Sequence, residues 1–123
     1  ESEANNHFRG AGTFSRILGK YVRDEDVFSL MDGLQKMTIN GARHLESVSQ
    51  DMAHRGRLQL GMIADITIFD YKTVLDQSTP EKPATASIGI EYVLVNGEVG
   101  LRNGQLDKSV KAGVGIKSDF IKE

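Results

Sequence analysis

Apolar positions follow two regimes along the chain: up to about residue 50 they recur with helical spacing, and from Gly56 onward they alternate or run together as in strands. Phe14, Ile17, Leu18 and Tyr21 stand at i, i+3, i+4 and i+7, which predicts a helix from roughly Phe14 to Val22 with one apolar stripe. Thr13 follows the glycine-punctuated stretch His7-Phe8-Arg9-Gly10-Ala11-Gly12 and is placed to cap that helix with its hydroxyl. The charged run Arg23-Asp24-Glu25-Asp26 ends it. A second helix is expected from Ser29, with Asp32 in a capping-box position and Leu30, Leu34 and Met37 along one face. Asn40-Gly41 interrupts, Ala42 to Leu45 add a last helical turn, and Glu46 to His54 read as loop.

The strand signals come later. Arg57-Leu58-Gln59-Leu60 alternates polar and apolar, Gly61 allows a turn, and Ala64 to Phe69 continue as a strand with Ile66 and Ile68 on one side. Ile88 to Val95 form a second run, which turns over Asn96-Gly97 into Glu98-Val99-Gly100-Leu101. Asn-Gly suits the positive φ angles of a two-residue hairpin turn, and Asn103-Gly104 repeats the signal. Between Asp70 and Ser87 lies a segment with both prolines, Pro80 and Pro83, and little to bury, so it is expected to cross a surface. In the tail from Lys108 to Glu123, only Val110, Val114 and Ile116 suggest one more short strand. The pattern is that of an α+β chain with its internal boundary near residues 50 to 55.

Composition narrows the function classes. The 123 residues carry 15 Lys+Arg against 17 Asp+Glu, a formal net charge of -2, with no run of five like charges; neither nucleic-acid binding nor attraction to an anionic membrane is expected. No apolar stretch approaches the ~20 residues that cross a bilayer. The absence of cysteine removes disulfides, thiolate metal sites and a cysteine nucleophile, and fits a reducing compartment such as the cytoplasm. The polar opening Glu1-Ser2-Glu3-Ala4-Asn5-Asn6, without an initiator methionine, suggests a piece of something longer.

Few residues offer chemistry. His7, His44 and His54 lie in separate segments without two-ligand spacing, so no metal site is expected from them. Gly10-Ala11-Gly12 lacks the spacing of a phosphate loop, and no serine sits in a nucleophile elbow. Asp65 and Asp70 bracket a strand roughly 17 Å long at ~3.3 Å per residue, too far apart to share one reacting centre, and are expected to cap strand ends. Arg9 remains. A guanidinium presents a planar fork of donors that matches a carboxylate in two parallel hydrogen bonds, and a glycine-rich loop lets a ligand approach closely. Arg16 and Arg43 lack that loop context.

The order of motifs resembles a known family. His7-Phe8-Arg9 with Gly12-Thr13-Phe14, Arg16, Leu18-Gly19 and Tyr21-Val22-Arg23; Met37-Thr38, Ala42-Arg43 and Leu45; Gly56-Arg57-Leu58, Gly61, Ala64-Asp65 and Phe69-Asp70; and the run from Gly89 to Gly97 are similar to the C-terminal part of N-acyl-D-amino-acid deacylases (D-aminoacylases) of the amidohydrolase superfamily. The later half of the pattern is shared with hydantoinases and dihydroorotases; the G-T-F-x-R-x-L-G run narrows the likeness to the deacylase branch. Phe8 stands where that family usually has proline, and so does Gly41.

This resemblance implies helices from the end of a (β/α)8 amidohydrolase barrel in residues 1–50, followed in residues 51–123 by the C-terminal part of a small β-sandwich domain. It implies a zinc-dependent parent enzyme that hydrolyses N-acyl-D-amino acids. The metal ligands and general base would precede this chain, which by itself is expected to bind no zinc and to lack activity. Arg9 matches the family's binder of the substrate α-carboxylate. The rival expectations are a stand-alone module that self-associates through an uncovered sheet edge or helix face, or the tail of a hydantoinase or dihydroorotase.

Overall fold

The computed structural model describes residues 7–118. Helix α1 (Arg9–Arg16) passes without a break into a π-helical segment, Ile17–Asp24, and is followed by α2 (Leu30–Met37), α3 (Ile39–Leu45) and a 3-10 turn, Gln50–His54. Four strands follow: β1 (Ile66–Phe69), β2 (Ile90–Val95), β3 (Glu98–Arg102) and β4 (Gln105–Leu106), hydrogen-bonded in sequence order. The α+β composition expected from the pattern is therefore present. The sheet is antiparallel between β2 and β3 and between β3 and β4, with a bulge between Val93 and Leu94.

Both Asn-Gly turns behave as their chemistry demands. Asn96 and Gly97 take φ of 49° and 84°, and Asn103 and Gly104 take 50° and 72°, the doubly positive pair that matches the twist of two antiparallel strands. The second helix starts as expected: Ser29 Oγ accepts the Asp32 backbone N–H at 3.1 Å and donates to the Asp32 carboxylate at 2.6 Å.

The first helix departs from the reading of its sequence. It starts at Arg9, five residues earlier than expected, and Phe8 occupies the cap position at φ -53°, inside the range that a proline ring imposes. Thr13 is an interior residue whose hydroxyl donates to the Arg9 carbonyl one turn back at 2.7 Å. The buried face is also different. Gly12, Ser15, Leu18, Gly19 and Val22 point inward, whereas Phe14 is 64% exposed. The reason is what packs there, a loop that fits against small residues.

The chain divides into two compact units that interleave in sequence, residues 7–33 with 68–91 and residues 34–67 with 92–118. In the first unit most of the segment after Asp70 is exposed, as a surface crossing would be, but it also buries side chains against its neighbours. Val74, with 0% exposure, is the most deeply buried side chain among the described residues, and Leu75 and Ile88 form an antiparallel bridge across the loop. The Val74 backbone lies so close to Gly89 (φ 76°) that a Cβ there would come within 2.5 Å of the Val74 nitrogen. Only glycine satisfies both the angle and the space.

In the second unit Arg55 bridges the Asp65 carboxylate and the Asn96 side-chain oxygen, and Asp65 accepts the Asn96 N–H at 2.8 Å. This network pins the β2–β3 turn to the segment before β1. Arg57-Leu58-Gln59-Leu60 forms no strand, despite its alternation, and leaves Leu58 85% and Leu60 104% exposed. Nor do the described residues beyond Lys108 form one: Val114 and Ile116 are exposed, and the tail is tied instead by Ser49 Oγ donating to the Lys117 carbonyl at 2.8 Å.

Candidate functional site

Arg9 lies in the first turn of α1, where backbone N–H groups still lack helical acceptors. Two of those donors are met locally: the Arg9 N–H donates to His7 Nδ1 at 3.0 Å, and the Gly10 N–H to the His7 carbonyl at 2.8 Å. The His7 and Phe8 rings stack with centroids 4.3 Å apart, and the Arg16 guanidinium lies over the other aromatic partner, Phe8, at 5.7 Å. Phe8 thus anchors the entry to the helix through both neighbours, at the backbone angle a proline would have set.

The exposed guanidinium of Arg9 has no hydrogen-bond or ion-pair partner among the described residues. It borders an open depression of about 670 Å³ formed by His7, Arg9, Gly10 and Thr13 on the helix side and Pro83 and Ala84 on the loop side. A second, more apolar recess adjoins it between Phe8, Ile17 and Tyr21. A planar cation without a partner among the described residues, at the N-terminal end of a helix, is suited to a carboxylate.

Behind that surface lies a polar cluster with no counterpart in the reading of the sequence. The Asp76 side chain, 3% exposed, accepts Arg16 Nε at 2.7 Å, the Ser78 N–H at 2.8 Å and the Ser78 hydroxyl at 2.6 Å. Burial alone would push the Asp76 carboxyl up. The Ser78 hydrogen bonds and the Arg16 guanidinium outweigh it and hold that carboxyl below its ordinary value. The one available signal was Asp76-Gln77-Ser78, an Asp-x-Ser turn that recurs as Asp107-Lys108-Ser109. At the other end of the loop, Arg23 donates to the carbonyls of Val74 (2.7 Å) and Tyr71 (3.1 Å).

The remaining candidates have structural occupations. Asp70 accepts the Lys72 N–H at 2.9 Å and the Thr73 hydroxyl at 3.1 Å, closing the turn after β1, and Asp65 belongs to the Arg55 network. Both cap strand ends. His54 Nδ1 lies 3.3 Å from the Gln50 carbonyl. Among the described residues no group of three or more His, Cys, Asp or Glu side chains is placed to hold a metal ion, so the residues present do not fit a zinc centre. No helix among them is long and apolar enough to cross a membrane.

Over 96 residues, 78% of its length, the chain is 44% identical to an N-acyl-D-glutamate deacylase of Alcaligenes xylosoxydans xylosoxydans. It superposes on the crystal structure of a D-aminoacylase, described as defining a novel subset of amidohydrolases, with a TM-score of 0.80, 36% identity and 90% of the chain covered. By sequence and by fold, the chain belongs with the N-acyl-D-amino-acid deacylases. An N-acyl-D-glutamate deacylase from Bordetella bronchiseptica, solved with zinc and a phosphonate that mimics the tetrahedral intermediate, also matches with a TM-score of 0.71 and 39% identity over 81% of the chain. The chain spans about a fifth of the length of these deacylases: 19% of the Alcaligenes protein and 22% of each solved structure. No protein-family model matches it.

Proposed function

We propose that this chain is the C-terminal part of a zinc-dependent amidohydrolase that hydrolyses N-acyl-D-amino acids to a carboxylate and a D-amino acid. Residues 1–50 then supply the last helices of a (β/α)8 barrel and residues 51–123 the C-terminal portion of its β-sandwich domain, and the absence of cysteine from this chain suits the cytoplasm. The observation that carries this reading is the 44% identity to a deacylase over 78% of the chain. It also favours a deacylase over a hydantoinase or dihydroorotase.

Within that enzyme the task of this chain is recognition. Zinc, with the polarising chemistry it supplies when bound, is assigned in this reading to the part of the parent enzyme that precedes the chain. Arg9 holds the free α-carboxylate of the substrate in a two-point, charge-assisted contact, which fixes the direction in which the scissile amide is presented. In the deacylase polypeptide that carries this chain, Arg9→Ala raises KM about tenfold to a hundredfold, as expected for losing hydrogen bonds to a charged group. Arg9→Lys recovers only part of the loss, because a point charge does not replace a fork. An unchanged KM in both variants refutes the role. The chain alone, purified and supplied with zinc, gives no turnover of N-acetyl-D-glutamate above a metal-free blank; clear turnover overturns that expectation.

A second reading, self-association of the isolated chain, is favoured by one observation: Leu58 and Leu60 stand exposed two residues apart.

A further inference from the structure

The depression beside Arg9 has one wall on α1 and the other on the loop between β1 and β2, and what joins the walls is the buried cluster behind them. Ser78 is central to it. Its hydroxyl, on a residue only 3% exposed, shares its single proton between the Asp76 carboxylate at 2.6 Å and the Phe8 carbonyl at 2.9 Å, the latter the same oxygen that accepts the first intrahelical N–H, from Gly12, at 3.2 Å. Ser87 reaches the Ala11 carbonyl from the same loop at 3.5 Å. Asp76 fixes Ser78 through its backbone and hydroxyl and is itself clamped by Arg16, two turns along the helix from Arg9. Gly12 has no side chain where one would run into the Asp76 carboxylate. The loop is thus fastened to both ends of α1 through Asp76 and Ser78, which are themselves withdrawn from water.

We propose that Asp76 and Ser78 are positioning residues for Arg9: they lock the first turn of α1 against the β1–β2 loop and so set where the guanidinium presents its two donors. This rests on the reading of Arg9 as the carboxylate binder. The physical case is one of rigidity. A first helical turn has few internal hydrogen bonds and frays readily, and α1 begins with Arg-Gly-Ala-Gly, whose glycines hold a helix poorly. Left to itself that turn would let a long side chain wander over several ångströms. A bidentate contact needs its fork held far more tightly, since misplacement by about 1 Å costs up to ~100-fold in rate. The Ser78 bond to the Phe8 carbonyl supplies the missing constraint at the residue next to Arg9.

The test uses the whole 123-residue chain and the deacylase polypeptide that contains it. In the chain, amide hydrogen exchange is followed by NMR for wild type, Asp76→Asn, Ser78→Ala and, as control, Asp107→Asn, which removes the same Asp-x-Ser turn at a place remote in sequence. The Asp76 and Ser78 variants are expected to speed exchange at least tenfold at Gly10 to Thr13 and to leave the β2–β3 amides and the control unchanged. Uniformly faster exchange marks a merely structural role and overturns the proposal; so does no change at Gly10 to Thr13. In the longer polypeptide, Asp76→Asn raises KM about tenfold with kcat within twofold, and Arg9→Ala combined with Asp76→Asn is no worse than Arg9→Ala alone. Multiplying effects overturn the proposal. If Arg9→Ala leaves KM unchanged, it is the reading of Arg9 that fails, and the exchange measurement alone decides whether the turn is locked.

Discussion

Replacing Gly89 with alanine adds one methyl group at the point where the chain turns back towards β2. The added carbon would lie 2.5 Å from the Val74 nitrogen, 2.6 Å from its Cα and 2.8 Å from the Thr73 carbonyl carbon, all backbone atoms that no rotamer change can move aside. It would also hold a side chain at φ 76°, a left-handed angle that costs a non-glycine residue about 1–2 kcal/mol. Overpacking of a tight interior contact adds ~1–3 kcal/mol, so the expected loss is about 2–5 kcal/mol, a large share of what a domain of this size possesses. Gly97→Ala separates the two contributions. Gly97 has the same kind of angle, φ 84°, but nothing within 4 Å of the added carbon, so only the angular cost applies. Equilibrium urea unfolding followed by circular dichroism gives both values, read as a shift in midpoint at constant slope. If Gly89→Ala costs no more than Gly97→Ala, the close approach of Val74 to Gly89 is not part of the folded protein, and the account of the β1–β2 loop as a packed element fails with it.

Two further outcomes follow from the polar cluster and the exposed leucines. The Asp76 carboxyl has a folded pKa below its unfolded one, so its stabilisation is present in full above about pH 4 and is lost as pH falls through the folded value; Asp76→Asn flattens the acid arm of a stability-versus-pH curve, and acid arms of identical shape for variant and wild type refute the assignment. Leu58→Ser with Leu60→Ser removes the two most exposed leucines of the second unit; if they drive association, sedimentation of the isolated chain shifts from concentration-dependent in the wild type to monomeric in the variant, whereas a wild type that is monomeric at every concentration removes that role.

Local chemistry was sufficient for some of this structure. The Asn-Gly pairs dictated both hairpin turns because the required angles belong to those residues wherever they occur, and Ser29 with Asp32 dictated the start of α2 because the bonds lie within one helical turn. The likeness to the deacylases was legible for a related reason: it is carried by the order of short motifs, which needs no coordinates. Arg9 could be singled out by type and neighbourhood, but its setting could not. The sequence placed it in a loop, and only packing moved it into a helix, since the carbonyls of Phe8 and Ala11 found donors from Ser78 and Ser87, 70 and 76 residues away. The same long-range contact decided which face of that helix is buried and gave the largely exposed segment after Asp70 the seat of Val74, the most deeply buried side chain among the described residues. Conversely, Leu58 and Leu60 alternate as a strand should, yet a strand exists only where a neighbour offers hydrogen bonds, and none is offered to them among the described residues. Periodicity and turn chemistry are properties of a few adjacent residues and survive in the sequence. Which surfaces meet depends on groups far apart along the chain, and that only the tertiary structure decides.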